Sequence, residues 1–320
     1  MIWLKQIAYF FIVLIIIVTV TMVIFWMPTA QEAGYQLEKI WGVKGQEEGQ
    51  FNEPTGVAVS KNEVFVSDSR NKRIQVFDLE GNFKRLIGVK GAGLLNRPMN
   101  LTVANEELYV ADFFKDQILV FGLDGNFKRT IGQSGKGVSE FNAPGGIAVN
   151  SKGELFIADF FNQRVQQLTV DGTFIQQWGQ TGLAGMLSGK LNYPTDVAVD
   201  NKGTLYIADG YNDRIQAFDP EGNLHYKWGG PFAVNIFGPF NGWFATVTGI
   251  SVGPDGNVFV ADFYNDRVQK FTPEGDFLNS FGIKSDGPTH TTIAVAVASD
   301  GSVFVADYAN HQIQKWQPGR

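Results

Sequence analysis

The chain has 320 residues, 44% of them hydrophobic, so it can bury a sizeable core and is not disordered. It contains no cysteine, which excludes disulfides, thiolate catalysis and cysteine-ligated zinc. The net charge of −6 argues against a nucleic-acid-binding surface.

The first predicted element is an apolar run that starts at Ile7 and ends at Met27. As a helix it would span about 31 Å, the thickness of a bilayer core. Lys5 precedes it and Glu32 follows it, which predicts a cytoplasmic N-terminus. We expect residues 1–28 to be a cytoplasmic stub and an uncleaved membrane anchor, and 29–35 to be a linker. A cleaved signal peptide and a buried core helix are the alternatives.

Residues 36–320 contain a sixfold repeat centred on a tripeptide that ends in aspartate. The aspartates are separated by 44, 47, 50, 53 and 45 residues. Around each one, four short apolar or alternating runs separated by Gly, Asn and Asp turns predict a four-stranded antiparallel sheet. Six such sheets at this spacing predict an all-β fold, a six-bladed β-propeller. The repeated aspartates are Asp68, Asp112, Asp159, Asp209, Asp262 and Asp307.

The sixth repeat stops at Trp316, after its third strand. Residues 36–42 are similar in sequence to the outermost strands predicted at 175–179 and 224–229. We expect residues 36–42 to complete the last blade and close the ring, which removes both exposed sheet edges. This strand would run toward the face that carries the loops after the repeated aspartates. The preceding chain should therefore enter from the opposite face.

Two motifs in the repeat carry a family resemblance. They are Pro-x-Gly/Asp-Val/Ile-Ala-Val and Ala-Asp-x-x-Asn-x-Arg-Ile/Val-Gln. The pattern resembles the NHL repeat over essentially all of residues 36–316. This resemblance implies a propeller but specifies no function, because NHL propellers serve as RNA binders, sensor domains, scaffolds and a few lyases.

The repeated polar residues allow two interpretations. One is a set of metal or anion sites; the other is an Asp–Arg pair, or an Asp–Gln pair where Gln117 and Gln312 replace the arginine, which fixes the same loop with an Asn turn in all six blades. Repetition in every blade favours the structural interpretation. The three histidines, His225, His290 and His311, fall in different parts of the repeat, so we expect no metal site and no cofactor. The arginines that open the third strands are Arg73, Arg164, Arg214 and Arg267.

The fourth repeat, residues 194–215, is also similar to a blade of the peptidyl-hydroxyglycine amidating lyases, which are six-bladed zinc enzymes. This resemblance places Tyr211 where the family has its catalytic tyrosine, which makes it a weak catalytic candidate. The family holds its zinc by histidines directly after the repeat proline, and this chain has none there. The six corresponding residues are Thr55, Met99, Gly145, Thr195, Thr248 and Ile293.

Two polar residues, Asn100 and Asp196, replace the usual Gly or Ala where the innermost strands line the central channel. They are candidates for holding a small polar ligand or an ion, and channel water is the plainer interpretation. Together with Tyr211 they define the alternative function, a metal-independent lyase or hydrolase at the channel mouth.

The least generic feature is a set of aromatic residues on one face of the predicted disc. They lie directly after the repeated aspartates and in the longest connection, residues 229–248. We expect this face to bind a partner; the alternative is that the long connection folds down and caps the channel. The candidates are Phe113, Phe114, Phe160, Phe161, Tyr211, Phe263, Tyr264, Tyr308, Phe232, Phe237, Phe240, Trp243 and Phe244.

The sequence thus favours a non-enzymatic interaction, scaffold or sensing module. We expect a single-pass membrane protein with a periplasmic or extracellular propeller, as part of a larger membrane-associated complex. Its partners would be proteins, bound on the aromatic face or in the membrane. RNA binding is disfavoured because Lys5 and Glu32 cancel and leave the propeller with the full charge of −6. The sequence identifies no small-molecule or glycan ligand.

Overall fold

A computed structural model of the chain describes residues 2–25, 27–283 and 292–319. His290 and the residues at positions 1, 26 and 320 lie outside the described part. The chain begins with a helix and a strand that precede the six repeats. They are α1 Ile2–Phe25 and β1 Tyr35–Trp41.

The six repeats form six sheets of four antiparallel strands each, which confirms the predicted all-β six-bladed propeller. Blade 1 contains β2 Pro54–Ser60, β3 Glu63–Asp68, β4 Arg73–Asp78 and β5 Phe83–Ile87. Blade 2 contains β6 Pro98–Ala104, β7 Glu107–Asp112, β8 Gln117–Gly122 and β9 Phe127–Ile131, and is followed by the short pair β10 Gln133–Ser134 and β11 Glu140–Phe141. Blade 3 contains β12 Pro144–Val149, β13 Leu155–Asp159, β14 Arg164–Leu168 and β15 Phe174–Gly179.

The remaining three blades repeat this order of strands. Blade 4 contains β16 Pro194–Val199, β17 Leu205–Asp209, β18 Arg214–Phe218 and β19 Leu224–Trp228. Blade 5 contains β20 Val247–Val252, β21 Val258–Asp262, β22 Arg267–Phe271 and β23 Phe277–Phe281. Blade 6 contains β24 Thr292–Val297, β25 Val303–Asp307 and β26 Gln312–Pro318, and its outermost strand is β1, which pairs antiparallel with β26.

The hydrophobic core lies between the blades rather than within them. Each of six buried clusters joins two neighbouring sheets; one packs Tyr206 and Trp228 of blade 4 against Val258 and Phe271 of blade 5. The second strand of each blade is buried on both sides, which explains its continuous apolar sequence. The outermost strands alternate instead, as in β9, because only one of their sides faces a neighbouring blade.

The membrane prediction is not supported by the structure. A membrane span requires about 20 consecutive, predominantly apolar helical residues. Across residues 2–25, 27–283 and 292–319, no helix qualifies as long and apolar enough to cross a membrane. On this finding, the predicted single-pass localisation, with a cytoplasmic N-terminus and a periplasmic or extracellular propeller, is wrong.

The segment before β1 packs against blade 5. The Gln31 backbone N–H donates to the Leu278 carbonyl (2.8 Å), and Glu32 pairs with Lys270 (2.9 Å). Farther along, Asn241 donates to the Pro28 carbonyl (3.0 Å). Asn241 belongs to the long aromatic connection, so this segment doubles back along the propeller's outer edge and does not leave from the opposite face as expected.

Candidate functional site

The repeated aspartate fixes the loop between the second and third strands of its blade. In blade 4, Asp209 is fully buried and accepts hydrogen bonds from Arg214 Nε (2.8 Å) and Asn212 Nδ2 (2.9 Å). The same carboxylate accepts the Asn192 backbone N–H (2.6 Å), while Arg214 donates to the Lys190 carbonyl (2.9 Å). The aspartate and arginine therefore tie this loop to the connection that enters the blade.

Blades 1, 3 and 5 repeat this arrangement, and blades 2 and 6 modify it. Asp112 has no arginine and accepts backbone N–H groups, including that of Asn96 (2.7 Å). Asp307 accepts from Gln312 Nε2 (2.9 Å) instead. The repeated pairs, each with 2.8 Å between Nε and Oδ2, are Arg73–Asp68, Arg164–Asp159 and Arg267–Asp262.

A second contact, which the sequence analysis missed, joins four of the described loops to the following blade. The residue directly before the third strand adopts a positive φ, and in these loops its side chain accepts the backbone N–H of the residue directly before the next innermost strand. Any side chain with a hydrogen-bond acceptor can make this contact. The residue type therefore differs from blade to blade, and the position shows no recognisable motif in the sequence. The described examples are Asp116 with Ala143 (2.7 Å), Gln163 with Tyr193 (2.6 Å), Asp213 with Thr246 (2.6 Å) and His311 with Glu53 (3.0 Å).

The positions after the repeat proline hold no zinc ligand. Three of them are threonines, and each Oγ1 donates to a carbonyl of the next blade: Thr55 to Pro98, Thr195 to Val247 and Thr248 to Thr292. In the part of the chain that the structure describes, no three His, Cys, Asp or Glu residues are grouped to hold a metal ion.

The two polar channel residues bond directly to each other. Asn100 Nδ2 donates to Asp196 Oδ2 (2.7 Å), which links blade 2 to blade 4. Asp196 also accepts the backbone N–H groups of Ile250 (2.9 Å) and Val197 (2.8 Å). Burial of this carboxyl, which is 1% exposed, raises its pKa to about 7. The bridge lies beside a channel cavity of about 180 Å³ lined by the innermost strands.

Tyr211 is far more exposed than the channel pair. Its ring packs against Tyr193, with centroids 4.9 Å apart, and 54% of the residue is accessible. Asp196 is enclosed in the channel and bonded to Asn100. The structure therefore bonds Asn100 to Asp196, whereas the ring of Tyr211 packs on the aromatic surface with Tyr193 and Phe160.

The aromatic residues of blades 2 to 4 form a continuous surface that we call the aromatic strip. It consists of Phe114, Phe113, Phe161, Phe160, Tyr193 and Tyr211. Successive ring centroids are 5.7, 5.8, 5.1, 4.9 and 4.9 Å apart. Tyr193 was missed because it stands before the repeat proline rather than after the repeated aspartate.

The other predicted aromatics divide into surface and core. Phe263 contacts Tyr264 (5.0 Å) and Tyr308 (6.5 Å), which extends aromatic character across blades 5 and 6. In the long connection, Phe232 and Phe237 are exposed at 76% and 70%. Phe240 and Trp243 pack together with their centroids 5.1 Å apart.

Phe244 departs from the prediction. It is fully buried and packs on Phe271 in the core between blades 4 and 5.

Further exposed apolar residues lie on the same face and were missed. They belong to the connections between an outermost strand and the next innermost strand, several just after the glycine that ends a blade, as in Gly42-Val43 and Gly88-Val89. That pattern was readable in the sequence. The exposed residues are Val43, Val89, Leu94, Val138, Leu183, Met186, Leu187 and Ile236.

Comparison with protein families identifies the repeats. The NHL repeat matches residues 51–77, 191–218, 244–271 and 293–316. A family described as a 6-bladed beta-propeller matches residues 94–179. The chain is a six-bladed propeller that contains NHL repeats. The predicted resemblance is thereby confirmed, including the absence of the lyase family's zinc ligands.

Two characterised proteins contain short stretches similar to this NHL propeller. Protein brain tumor of Drosophila melanogaster is 52% identical over 52 residues, or 16% of this chain. The B-box type zinc finger protein ncl-1 of Caenorhabditis elegans is 56% identical over 45 residues, or 14% of this chain. Each match spans only 5% of the relative's own length.

Solved structures share the fold at low sequence identity. A protein of unknown function from Bacteroides thetaiotaomicron has a TM-score of 0.68 at 17% identity, covering 89% of this chain and 76% of that one. A streptogramin B lyase has a TM-score of 0.59 at 17% identity, covering 89% and 98%. At this identity, the likeness concerns the fold alone.

Proposed function

We propose that this NHL propeller is a protein-interaction module that binds its partner through the aromatic strip and the long connection beside it. The observation that carries the proposal is the concentration of exposed apolar side chains on one face. Buried aromatic side chains contribute about 150–250 Å² each, so a few of them approach the roughly 800 Å² that one partner buries in a standard interface.

The strip is arranged before any partner binds. Each ring contacts its neighbour, and Arg97 lies 5.9 Å from the Phe114 centroid while pairing with Glu53 (3.2 Å). Ordered side chains lose less conformational entropy on association than free ones. Aromatic and arginine side chains are also the residue types enriched among interface positions that dominate binding energy.

Binding accounts for this surface better than catalysis does. The alternative, a lyase or hydrolase at the channel mouth, requires Tyr211, Asn100 and Asp196 to act at one site. The fold shared with streptogramin B lyase carries no activity by itself.

The proposal is tested by proximity labelling and affinity capture with two variants. Phe114→Ala/Phe161→Ala/Tyr211→Ala removes exposed rings from the strip, and Val170→Ala alters an exposed residue in the turn at the opposite end of blade 3. We expect a protein captured by the wild type and the Val170 variant to be absent with the triple variant. Equal capture by all three would contradict the proposal.

A further inference from the structure

Next to the aromatic strip lies a buried carboxylate whose charge is not neutralised. Asp213 is 7% exposed. Its Oδ1 accepts the Thr246 backbone N–H (2.6 Å), and Asn235, with its amide nitrogen facing Asp213, donates to Oδ2 (2.9 Å). Both donors are neutral, and no cationic side chain in the described residues pairs with Asp213. The neighbouring Asp209, by contrast, is paired with Arg214.

This arrangement is energetically unusual. Buried charges in proteins are normally paired or bound to a cation, because removing them from water is costly. Burial raises the pKa of Asp213, because removal from water disfavours its charged form, and the Thr246 N–H opposes that rise only in part. A cation brought by a ligand would supply the missing charge.

The surroundings of Asp213 suit such a cation. With Phe237, Phe240 and Tyr264 it lines a pocket of about 560 Å³. The three rings are exposed at 70%, 36% and 53%, so they are accessible to a ligand. Aromatic faces attract cations through their quadrupole, most strongly where water is excluded.

The pocket wall is held in place by its own hydrogen bonds. The Gly238 backbone N–H donates to the Phe244 carbonyl (3.0 Å), and Asn265 Nδ2 donates to the Gly238 carbonyl (2.9 Å). Arg267 donates to the Phe240 carbonyl (2.7 Å). Since Phe244 is fully buried, this part of the connection is anchored in the core and presents Phe237 and Phe240 on a fixed backbone.

We propose that this pocket binds the cationic side chain, lysine or arginine, of the protein partner. The charge would meet Asp213 and the aromatic rings, while the aliphatic stem would pack on Phe237 and Pro239. This inference rests on the proposed interaction function and names the partner chemistry that one part of the face recognises.

The test uses small probes, so it does not depend on knowing the partner. N-acetyl-lysine methylamide and N-acetyl-arginine methylamide are titrated into the full chain and followed by NMR, with N-acetyl-norleucine methylamide as the uncharged control. We expect at least one cationic probe to bind about tenfold more tightly than norleucine, a difference of about 1.4 kcal/mol. Equal binding of all three probes, or no binding, would overturn the proposal.

Two variants locate the site. Asp213→Asn keeps an oxygen for the Thr246 N–H but removes the charge, and Phe237→Leu removes an exposed ring; both should weaken binding of the cationic probe by about tenfold or more. Asp116→Asn is the matched control, because Asp116 occupies the same loop position in blade 2 and accepts from Ala143 (2.7 Å). Unchanged probe affinity in Asp213→Asn, with the fold intact by NMR, would overturn the assignment.

The strip variant separates this inference from the proposed function. Phe114→Ala/Phe161→Ala/Tyr211→Ala leaves the residues of the pocket in place and should still bind the cationic probe. If the triple variant binds the cationic probe and still captures the partner, the aromatic strip is not the binding face, and the pocket proposal is retained. If it loses the partner while wild type binds no cationic probe, the interaction function stands and the pocket proposal fails.

Discussion

The backbone N–H of Glu53 donates a hydrogen bond to Nδ1 of His311 (3.0 Å), and this contact joins the last blade to the first. In the other described blade junctions of this kind, the acceptor is an aspartate or a glutamine. The junction that closes the ring is therefore the one whose acceptor is an imidazole nitrogen, which protonation converts into a donor.

Acidification should weaken this junction. Burial, assisted by nearby Lys44, lowers the pKa of His311. Because the folded pKa lies below the unfolded value of about 6.5, the contribution to stability is complete above about pH 6.5 and is lost as the pH falls toward the folded pKa. We expect His311→Gln, which supplies the acceptor that blade 3 uses, to lose less stability than wild type on acidification, as measured by urea unfolding.

The informative quantity is the difference in unfolding free energy between wild type and His311→Gln, measured at each pH. Buried carboxyls such as Asp196, with its pKa raised to about 7, act in the opposite direction: their folded form gains protons, which stabilises the fold as the pH falls through that value. Wild type and His311→Gln both contain these carboxyls, so the carboxyl contributions cancel in the difference between the two free energies of unfolding. A wild-type–variant difference that stays constant with pH would contradict the role assigned to His311.

The buried pair Arg214–Asp209 should be essential to blade 4. Arg214→Met leaves a fully buried carboxylate without its cation, and we expect a loss of about 3–5 kcal/mol in the free energy of unfolding. Lys61→Met is the control, because its ion pair with Glu106 is largely exposed and should change stability by less than about 1 kcal/mol. Denaturant unfolding measures both, and losses of equal size would count against the structural role of Asp209.

Two phenylalanines of the long connection should respond differently to truncation. Phe244 is fully buried, so Phe244→Ala should cost about 3–5 kcal/mol of unfolding free energy. Phe232 is 76% exposed, and Phe232→Ala should stay within about 0.5 kcal/mol. Thermal unfolding distinguishes the two variants; a large loss with Phe232→Ala would show that this ring supports the fold instead of the surface.

The channel bridge leaves no room for a side chain on Gly146. A Cβ there would stand 2.5 Å from the Asp196 Cα and 2.1 Å from its Oδ1. We expect Gly146→Ala to displace Asp196 from Asn100 and to cost about 1–3 kcal/mol. At Gly34 an added Cβ would meet nothing within 4 Å, so Gly34→Ala is a suitable control. Unfolding measurements that rank the two variants equally would argue against a rigid bridge.

The repeat made the fold predictable, because six copies of one pattern specify strand number, blade spacing and loop position together. The aromatic face was partly predictable for the same reason: Phe113 and Phe160 occupy corresponding places in their repeats. Phe244 was misassigned because sequence position alone does not distinguish a residue at the loop's surface from one that turns inward to pack on Phe271.

The charge environment of the site was not predictable. Asp213 occupies the same repeat position as Gln163 and His311, and only the structure shows that a pocket with aromatic walls lies over it. The Asn100–Asp196 contact likewise joins residues 96 positions apart, whose meeting depends on the diameter of the channel. The localisation prediction rested on the composition of one segment and was wrong, since no helix within the described ranges is long and apolar enough to cross a membrane.

Because β1 pairs with β26, the ring is completed by partners more than 270 residues apart in the chain. During synthesis β1 stays without its partner strand until β26 has left the ribosome. Bringing together segments so far apart in the chain costs conformational entropy and is slow. We therefore expect the pairing of β1 with β26 to be a late step of folding, which binding of another molecule to either strand would prevent. A nascent or prematurely terminated product would expose the groove between its first and last sheets, a signal that chaperones or proteases can recognise.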